Sequence, residues 1–134
     1  MSEVIDALKV KDVYNIKSKN RTYLLERLEN FENREPVMID GNTDITIEHI
    51  FPQNPDPKWK IELGTDDYNY IKENYLNTVG NLTLSGNNDK LGNKPFIEKR
   101  DLADAGYKDS RLWLNKYLTI IDKWDNMKLK DVLT

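Results

Sequence analysis

The clearest hydrophobic pattern in the chain is an alternation at residues 45–49, where branched apolar side chains alternate with a threonine and a glutamate. Period-two alternation predicts a short, half-buried β-strand. Phe51 precedes a proline and is restricted to extended geometry, so we expect this strand to end near His49. A second short strand is predicted at residues 82–84, followed by a Ser-Gly turn and a helical turn opening in the Asn-Asn-Asp-Lys stretch 87–90.

Apolar residues with three- and four-residue spacing predict helices on both sides of these strands. The patterns cover residues 4–8, residues 24–31 with Ser18 or Asn20 as the cap, and residues 112–124 with Asp109 or Ser110 as the cap. Thr65 is a suitable N-cap for a shorter helix that extends to Leu76, while residues 54–57 have turn chemistry. Pro36 ends the early helical pattern, and residues 37–39 suggest a further short strand.

These elements predict an α+β fold, a mostly helical domain around a small β-hairpin-plus-helix finger. A length of 134 residues suits one domain, with a helical lead-in at 1–36, the finger at about 37–100 and C-terminal helices at 101–134.

The amino-acid composition limits the classes of protein to which this chain can belong. Charged residues make up 32% of the chain and hydrophobic residues 38%, which is typical of a small domain with much exposed surface. The absence of cysteine excludes disulfides and cysteine-bound zinc. No apolar run approaches the roughly 20 residues that a membrane span requires, so we expect no membrane association and a cytoplasmic setting.

The distribution of charged residues along the chain indicates one candidate surface for contact with nucleic acid. The net charge of -3 argues against a protein that coats nucleic acid. Lys90, Lys94, Lys99 and Arg100, however, form a local basic excess opposed only by Glu98. This excess is suited to phosphate contacts, and an ordinary solvated helix face explains it equally well.

His49 is the only histidine in the sequence, and an acid precedes it directly. Imidazole is the one side chain whose unperturbed pKa makes it an effective base near neutral pH. A lone histidine is more often a structural or surface residue than a catalyst, so the residue alone leaves both readings open.

Four motifs stand out along the chain: IEHIFPQ at 47–53, GNLTL at 80–84, NDKL at 88–91 and NKPF at 93–96, the last followed by Lys99 and Arg100. Together with the stretch at 20–25 they resemble the HNH, or His-Me finger, nucleases, and more closely the HNH-like C-terminal domain of the GmrSD-type modification-dependent restriction endonucleases. The resemblance therefore covers most of the chain. The resemblance implies that the chain is the C-terminal part of a longer protein.

The resemblance implies a set of site residues. His49 would be the general base and Asn81 would orient the site by hydrogen bonds. Glu48 and Asn88 would bind Mg²⁺ (or Mn²⁺), with Asn87 or Asp89 as alternatives to Asn88. Lys90, Lys94 and Gln53 are candidates for contacts with the substrate phosphate.

The resemblance also implies a function, which is metal-dependent cleavage of DNA in the restriction of modified or phage DNA. An NTPase-like N-terminal domain of the same protein would be its partner and would select modified DNA. The alternative is a catalytically silent module that binds DNA or a partner domain within a larger defence protein.

Overall fold

The computed structural model describes residues 12–15, 18–30, 45–125 and 128–129. In chain order the α-helices and β-strands are α1 (Ser18–Glu29), β1 (Thr46–His49), α2 (Pro57–Leu63), α3 (Thr65–Asn74), β2 (Leu82–Ser85), α4 (Asn88–Leu91) and α5 (Phe96–Asp101). Short 3-10 helices lie at Val79–Asn81, Tyr107–Asp109, Trp113–Asn115 and Tyr117–Ile120.

The two strands form an antiparallel sheet in which Ile47 pairs with Leu84 and His49 pairs with Leu82. Helix α4 follows β2 almost directly and lies against β1. The predicted α+β class, helices around a small unit of two strands and a helix, is confirmed. The connection between the strands, residues 50–81, is long because it carries α2 and α3.

Two hydrophobic clusters form the core of the described part of the chain. The larger cluster is rich in aromatic side chains, among them Phe51, Trp59, Phe96 and Trp124, each 0% exposed. Burial of each such side chain stabilises the fold by roughly 1.5–3 kcal/mol. The smaller cluster joins Leu25 of α1 to apolar residues of β2 and to Val13. The smaller cluster thus contains strand residues, whereas the larger cluster includes Ile50 and Phe51, directly after β1.

Strand alternation gives the sheet one apolar face and one polar face. Ile47 and its partner Leu84 pack in or against the smaller cluster. On the opposite face Glu48 pairs with Thr83, and both side chains are buried. Buried polar groups require partners, and the polar face receives them from α5 and from the segment that follows it.

The helix predicted across residues 24–28 is confirmed as part of α1, which begins at Ser18. The helix predicted at Thr65 is also present, but Gly64 is its N-cap and Thr65 its first residue. Residues 57–63 form a helix that the turn chemistry did not predict. Asp56 caps it by accepting a hydrogen bond from the Lys58 backbone N–H at 2.9 Å, and proline is well tolerated in a first turn.

The prediction of a four-turn helix over residues 112–124 is wrong. This segment contains two short 3-10 helices, and Ile121 after them is extended. Asn115 gives the physical reason, because its buried amide donates to the carbonyl of Leu84 and to Oγ of Ser110, both at 2.9 Å. These bonds hold the segment against β2 and leave Ile120 exposed, which a regular amphipathic helix would not do.

Three predictions from the sequence fall outside the described residues. They are the helix at 4–8, the end of the helical pattern at Phe31 and the strand at 37–39. Within the part of the chain that the structure describes, no helix has both the length and the apolar character needed to cross a membrane.

Candidate active site

His49 ends β1, and its side chain is 8% exposed. Its Nε2 atom lies 2.9 Å from Oδ1 of Asn77, in the loop after α3. The backbone carbonyl of Asn77 in turn accepts the N–H groups of Val13 and Tyr14 at 2.8 and 3.1 Å. This docking brings the Tyr14 ring edge-on to the imidazole, with ring centroids 4.4 Å apart. The imidazole is therefore contacted by groups from two separate parts of the chain, the loop after α3 and the segment that carries Tyr14.

The contact with Asn77 selects a tautomer of the neutral ring. An amide oxygen can only accept a hydrogen bond. The proton of the neutral ring is therefore on Nε2 of His49, which donates a hydrogen bond to Oδ1 of Asn77. In the neutral imidazole the lone pair is then on Nδ1. This is the form of histidine that can accept a proton as a base.

The chain bends at Ile50 and Phe51, directly after His49. The Asn81 side chain brackets this bend, accepting the Phe51 N–H at 2.8 Å and donating to the Phe51 carbonyl at 2.9 Å. The same side chain donates to the Leu76 carbonyl at 2.9 Å and accepts the indole N–H of Trp124 at 3.0 Å. Asn81, at 0% exposed, thus orients the backbone after His49.

Glu48 precedes His49 and is 4% exposed. Its Oε2 atom accepts a hydrogen bond from the Tyr107 hydroxyl at 2.8 Å and one from Lys99 Nζ at 3.2 Å. Both bonds reach the same carboxylate oxygen. The second oxygen, Oε1, is not engaged by either residue.

Lys99 lies on α5 and is 0% exposed. Besides Glu48, its ammonium donates to the carbonyls of His49 at 2.8 Å and Ile50 at 3.1 Å. An ammonium has three N–H donors and no acceptor, so three oxygen partners match it fully.

The buried pair has shifted ionisation equilibria. Burial raises the pKa of Glu48, and this effect is opposed by the charge of Lys99 and by the hydrogen bond from Tyr107. Burial lowers the pKa of Lys99, opposed by Glu48. The pKa of Tyr107 is well above its usual value, because the hydroxyl is buried and faces the carboxylate. Tyr107 therefore remains a protonated donor to Glu48 across the neutral range.

Asn88, the first residue of α4, contacts β1. Its Nδ2 donates to Oγ1 of Thr46 and to the carbonyl of Ile47, the latter at 3.0 Å. Of the two alternatives, Asn87 is half-buried and its backbone N–H donates to Oγ of Ser85 at 2.9 Å, whereas Asp89 is exposed. The structure thus places Asn88 beside the strand that carries Glu48.

The predicted basic surface is smaller than the sequence suggested. Lys99 is fully buried and Arg100 binds Asp101, Asp122 and the Ile121 carbonyl, so neither is placed to meet phosphate. Lys90 and Gln53 are exposed, and Lys94 is half-buried with its Nζ donating to the Lys90 carbonyl at 2.9 Å.

The candidate metal ligands offer a carboxylate oxygen and an amide oxygen. Because the Nδ2 of Asn88 donates to β1, its Oδ1 is the remaining ligand atom of that side chain. Oxygen donors are what Mg²⁺ prefers, and Mg²⁺ keeps several waters as further ligands. The donor types therefore fit this ion. The described residues contain no group of three or more histidine and acidic side chains that could hold a metal ion.

A cavity of about 360 Å³ borders this region. Asn87, next to the candidate ligand Asn88, lies on one wall, and Tyr107, which binds Glu48, lies on another. Asp104, Asp109 and Arg111 add charged groups to the lining. The cavity is large enough for part of a nucleotide and borders residues next to both candidate metal ligands.

Residues 1–131 match the model of a protein family described as GmrSD restriction endonucleases, C-terminal domain. This chain belongs to that family. The match spans the strands, α4 and all the candidate site residues, and it confirms the resemblance seen in the sequence motifs. No curated protein matches the chain. The GmrSD domain is thus assigned to restriction endonucleases, enzymes that act on DNA and that generally require divalent metal ions.

Three residues contact the candidate site residues in a way that was not predicted from sequence, namely Asn77, Lys99 and Tyr107. Lys99 did carry a usable signal, since it follows buried Phe96 by three residues and so shares its helix face. Asn77 and Tyr107 reach the site through tertiary contacts, and nothing in the local sequence pattern indicates them.

Proposed function

We propose that this domain is a metal-dependent DNA endonuclease of the HNH, or His-Me finger, type that hydrolyses phosphodiester bonds. The single observation that carries the proposal is the placement of His49 at the end of β1, with its ring held by Asn77 in a tautomer suited to a base. Helix α4 contributes Asn88 to the same two-stranded unit. Family membership supports cleavage of DNA as the activity.

His49 acts as the general base in this proposal. The Asn77 oxygen retains the proton on Nε2, so Nδ1 accepts the proton of the attacking water. Asn81 serves as a positioning residue, because its bonds to Phe51 fix the backbone that leaves His49. Proton transfer by a positioned side chain typically contributes about 10²- to 10⁴-fold to the rate.

Glu48 and Asn88 would hold Mg²⁺ (or Mn²⁺), with Oε1 and Oδ1 as the candidate ligand atoms. When bound, the ion neutralises charge on the phosphate and stabilises the leaving oxygen. Tyr107 and Lys99 keep the other carboxylate oxygen of Glu48 in place, which leaves Oε1 as the ligand atom. Asn87 or Asp89 would replace Asn88 if α4 shifted its first turn toward the ion.

Lys90, Lys94 and Gln53 contact the DNA backbone. With a net charge of -3 and few free cations near the site, the domain gains little from counterion release. Its own affinity for DNA is therefore weak and sensitive to salt. We assign the choice of modified or phage DNA to an NTPase-like N-terminal domain of the same cytoplasmic protein.

Nicking of supercoiled plasmid tests the proposal, with Mg²⁺, Mn²⁺ or EDTA and with the wild type beside Glu48→Gln and Asn88→Ala. We expect cleavage only with metal, and a higher metal requirement in both variants. Asn69→Ala is the control, since Asn69 is exposed on α3 away from the site. Cleavage that persists in EDTA would refute metal dependence. DNA binding without cleavage under any metal would favour the silent binding module.

A further inference from the structure

Lys99 directs all three ammonium donors at one short segment of the chain. Its Nζ donates to Oε2 of Glu48, to the carbonyl of His49 and to the carbonyl of Ile50. The side chain reaches this segment from α5, about fifty residues away in sequence, and is 0% exposed. Burial of a charged group is unfavourable unless its partners compensate, and an apolar residue would fill a core position at less expense. The position of this lysine therefore calls for a reason beyond packing.

Lys99 contacts residues 48–50, and the backbone geometry of this segment determines how Glu48 and His49 are oriented relative to each other. Neighbouring residues of a strand point to opposite faces, so Glu48 and His49 diverge while the strand is regular. The chain bends at Ile50, directly after them. Two of the three Lys99 bonds go to the carbonyls at the start of this bend, of His49 and Ile50. Lys99 thus binds the backbone of one candidate residue and the side chain of the other.

Asn81 holds the other side of the bend. Its backbone carbonyl accepts the Ile50 N–H at 3.0 Å, and its side chain binds Phe51. Lys99 and Asn81 together therefore bind the carbonyls of residues 49–51 and the N–H groups of Ile50 and Phe51. With Asn81 alone, the carbonyls of His49 and Ile50 would lack the ammonium, and the orientation of the peptide planes after His49 would be less constrained.

We propose that Lys99 is a positioning residue of the nuclease site, which fixes the His49–Ile50 backbone and the Glu48 carboxylate relative to one another. This inference rests on the proposed function for its catalytic meaning. A lysine that acted through charge alone would need only Glu48 as its partner. The two carbonyl bonds distinguish positioning from charge neutralisation, because they orient a backbone that carries no net charge.

The single histidine makes the proposal measurable without cleavage, since one ¹H–¹³C cross-peak reports the imidazole Cε1–H of His49. We compare the wild type with Lys99→Met in the full 134-residue chain. The matched control is Lys58→Met, because Lys58 is exposed and pairs at the surface with Glu98 at 3.8 Å. We expect the His49 signal to shift or broaden in Lys99→Met and to stay unchanged in Lys58→Met. An unchanged signal in a folded Lys99→Met protein would overturn the proposal.

Removal of Lys99 alone leaves a buried carboxylate unpaired and can prevent folding. The second comparison therefore adds Lys99→Met to Glu48→Gln. In Glu48→Gln the amide oxygen at position 48 still accepts from the ammonium, and the double variant buries neither charge of the pair. Loss of the two carbonyl bonds should still move the His49 signal. If the signals of Glu48→Gln and the double variant coincide, Lys99 acts only through Glu48 and the positioning role is refuted.

Kinetics connect the result to function. We expect Lys99→Met to lower kcat for plasmid nicking by about 10- to 100-fold, the usual range for residues that orient active-site groups, with KM for DNA little changed. Gly64→Ala controls for stability, because we expect backbone strain to destabilise it while an added Cβ meets no other atom within 4 Å. A folded Lys99→Met protein with wild-type kcat overturns the proposal. If the wild type itself does not cleave DNA, the nuclease proposal fails, while the His49 signal still decides whether Lys99 fixes that residue.

Discussion

The Nε2 atom of His49 donates a hydrogen bond to Oδ1 of Asn77 at 2.9 Å, which links the end of β1 to the loop after α3. The same asparagine binds the backbone of Tyr14, whose ring packs edge-on against the imidazole. Asn77 therefore sets both the tautomer of the candidate base and one wall of its surroundings.

Asn77→Ala removes the side-chain acceptor but keeps the carbonyl that binds Val13 and Tyr14. We expect plasmid nicking to slow by about 10- to 100-fold, because the imidazole loses the group that fixes its tautomer and ring orientation. Initial rates at saturating Mg²⁺ measure the effect, with Asn69→Ala as the exposed control. A rate equal to that of the wild type would show that Asn77 does not orient the base.

Asn81→Ala should lower stability rather than change chemistry directly. The substitution leaves the buried N–H groups of Phe51 and Trp124 without their acceptor. Each unsatisfied buried group costs about 1–3 kcal/mol, so we expect the free energy of unfolding to fall by roughly 2–5 kcal/mol. Urea denaturation of the variant beside Asn69→Ala measures this change. A loss below 1 kcal/mol would contradict the bonding described for Asn81.

Gly106→Ala tests the close approach of the segment that carries Tyr107 to the end of α5. A Cβ at residue 106 would lie 2.5 Å from the carbonyl oxygen of Arg100 and 2.7 Å from that of Lys99, both rigid backbone atoms. The backbone must shift, so we expect severe loss of stability and displacement of Tyr107 from Glu48. Thermal denaturation gives the readout.

Gly64→Ala is the matched control for that experiment. Gly64 has a φ of +83° but no atom within 4 Å of an added Cβ, so only backbone strain opposes the substitution. With a ψ of 158° this is a backbone region that only glycine adopts readily, so we expect a loss of roughly 1–3 kcal/mol. Should Gly106→Ala be no more destabilised than Gly64→Ala, the steric account of Gly106 is wrong.

The pair of Arg100 and Asp101 gives a pH dependence with a defined sign. Hydrogen bonds from Arg100 hold the pKa of Asp101 below its ordinary value of 3.8. A lowered pKa in the folded state contributes stability that is present above pH 3.8 and is lost as the pH falls through the folded value. Because the pair is exposed, the contribution is small and screened by salt.

Asp101→Asn isolates this contribution. We expect its melting temperature to lie slightly below that of the wild type at pH 5 and low salt, and the difference to shrink as the pH falls below 3.8. Asp66→Asn is the control, since Asp66 is exposed in the first turn of α3. A difference between wild type and Asp101→Asn that grows toward acid pH would contradict the assignment.

The sequence correctly predicted the helices and strands whose formation depends on residues that are close together in the chain. Alternation placed β1, and the asparagine-rich stretch placed α4, because strand period and turn chemistry depend on near neighbours. The helix predicted over residues 112–124 failed because its apolar spacing ignored Asn115, whose amide binds the Leu84 carbonyl of β2. Long-range bonding decided that segment, and local periodicity does not register it.

The candidate site likewise contains some residues that local motifs indicate and others whose role follows only from tertiary contacts. His49, Glu48, Asn81 and Asn88 were indicated by motifs, yet their roles remain predictions until variants are measured. Lys99 was grouped with phosphate-binding cations because its sequence neighbours are basic. Its burial depends on tertiary contacts, which place its Nζ among oxygens about fifty positions earlier in the chain.

The initial rate of plasmid nicking by His49→Ala at saturating Mg²⁺ tests the central claim most directly, with its melting temperature as the check on folding. If His49 is the base, the variant remains folded and its rate falls by about 10²- to 10⁴-fold. A folded His49→Ala protein that nicks DNA at the wild-type rate would contradict the account, because the reaction would then need no base at this position.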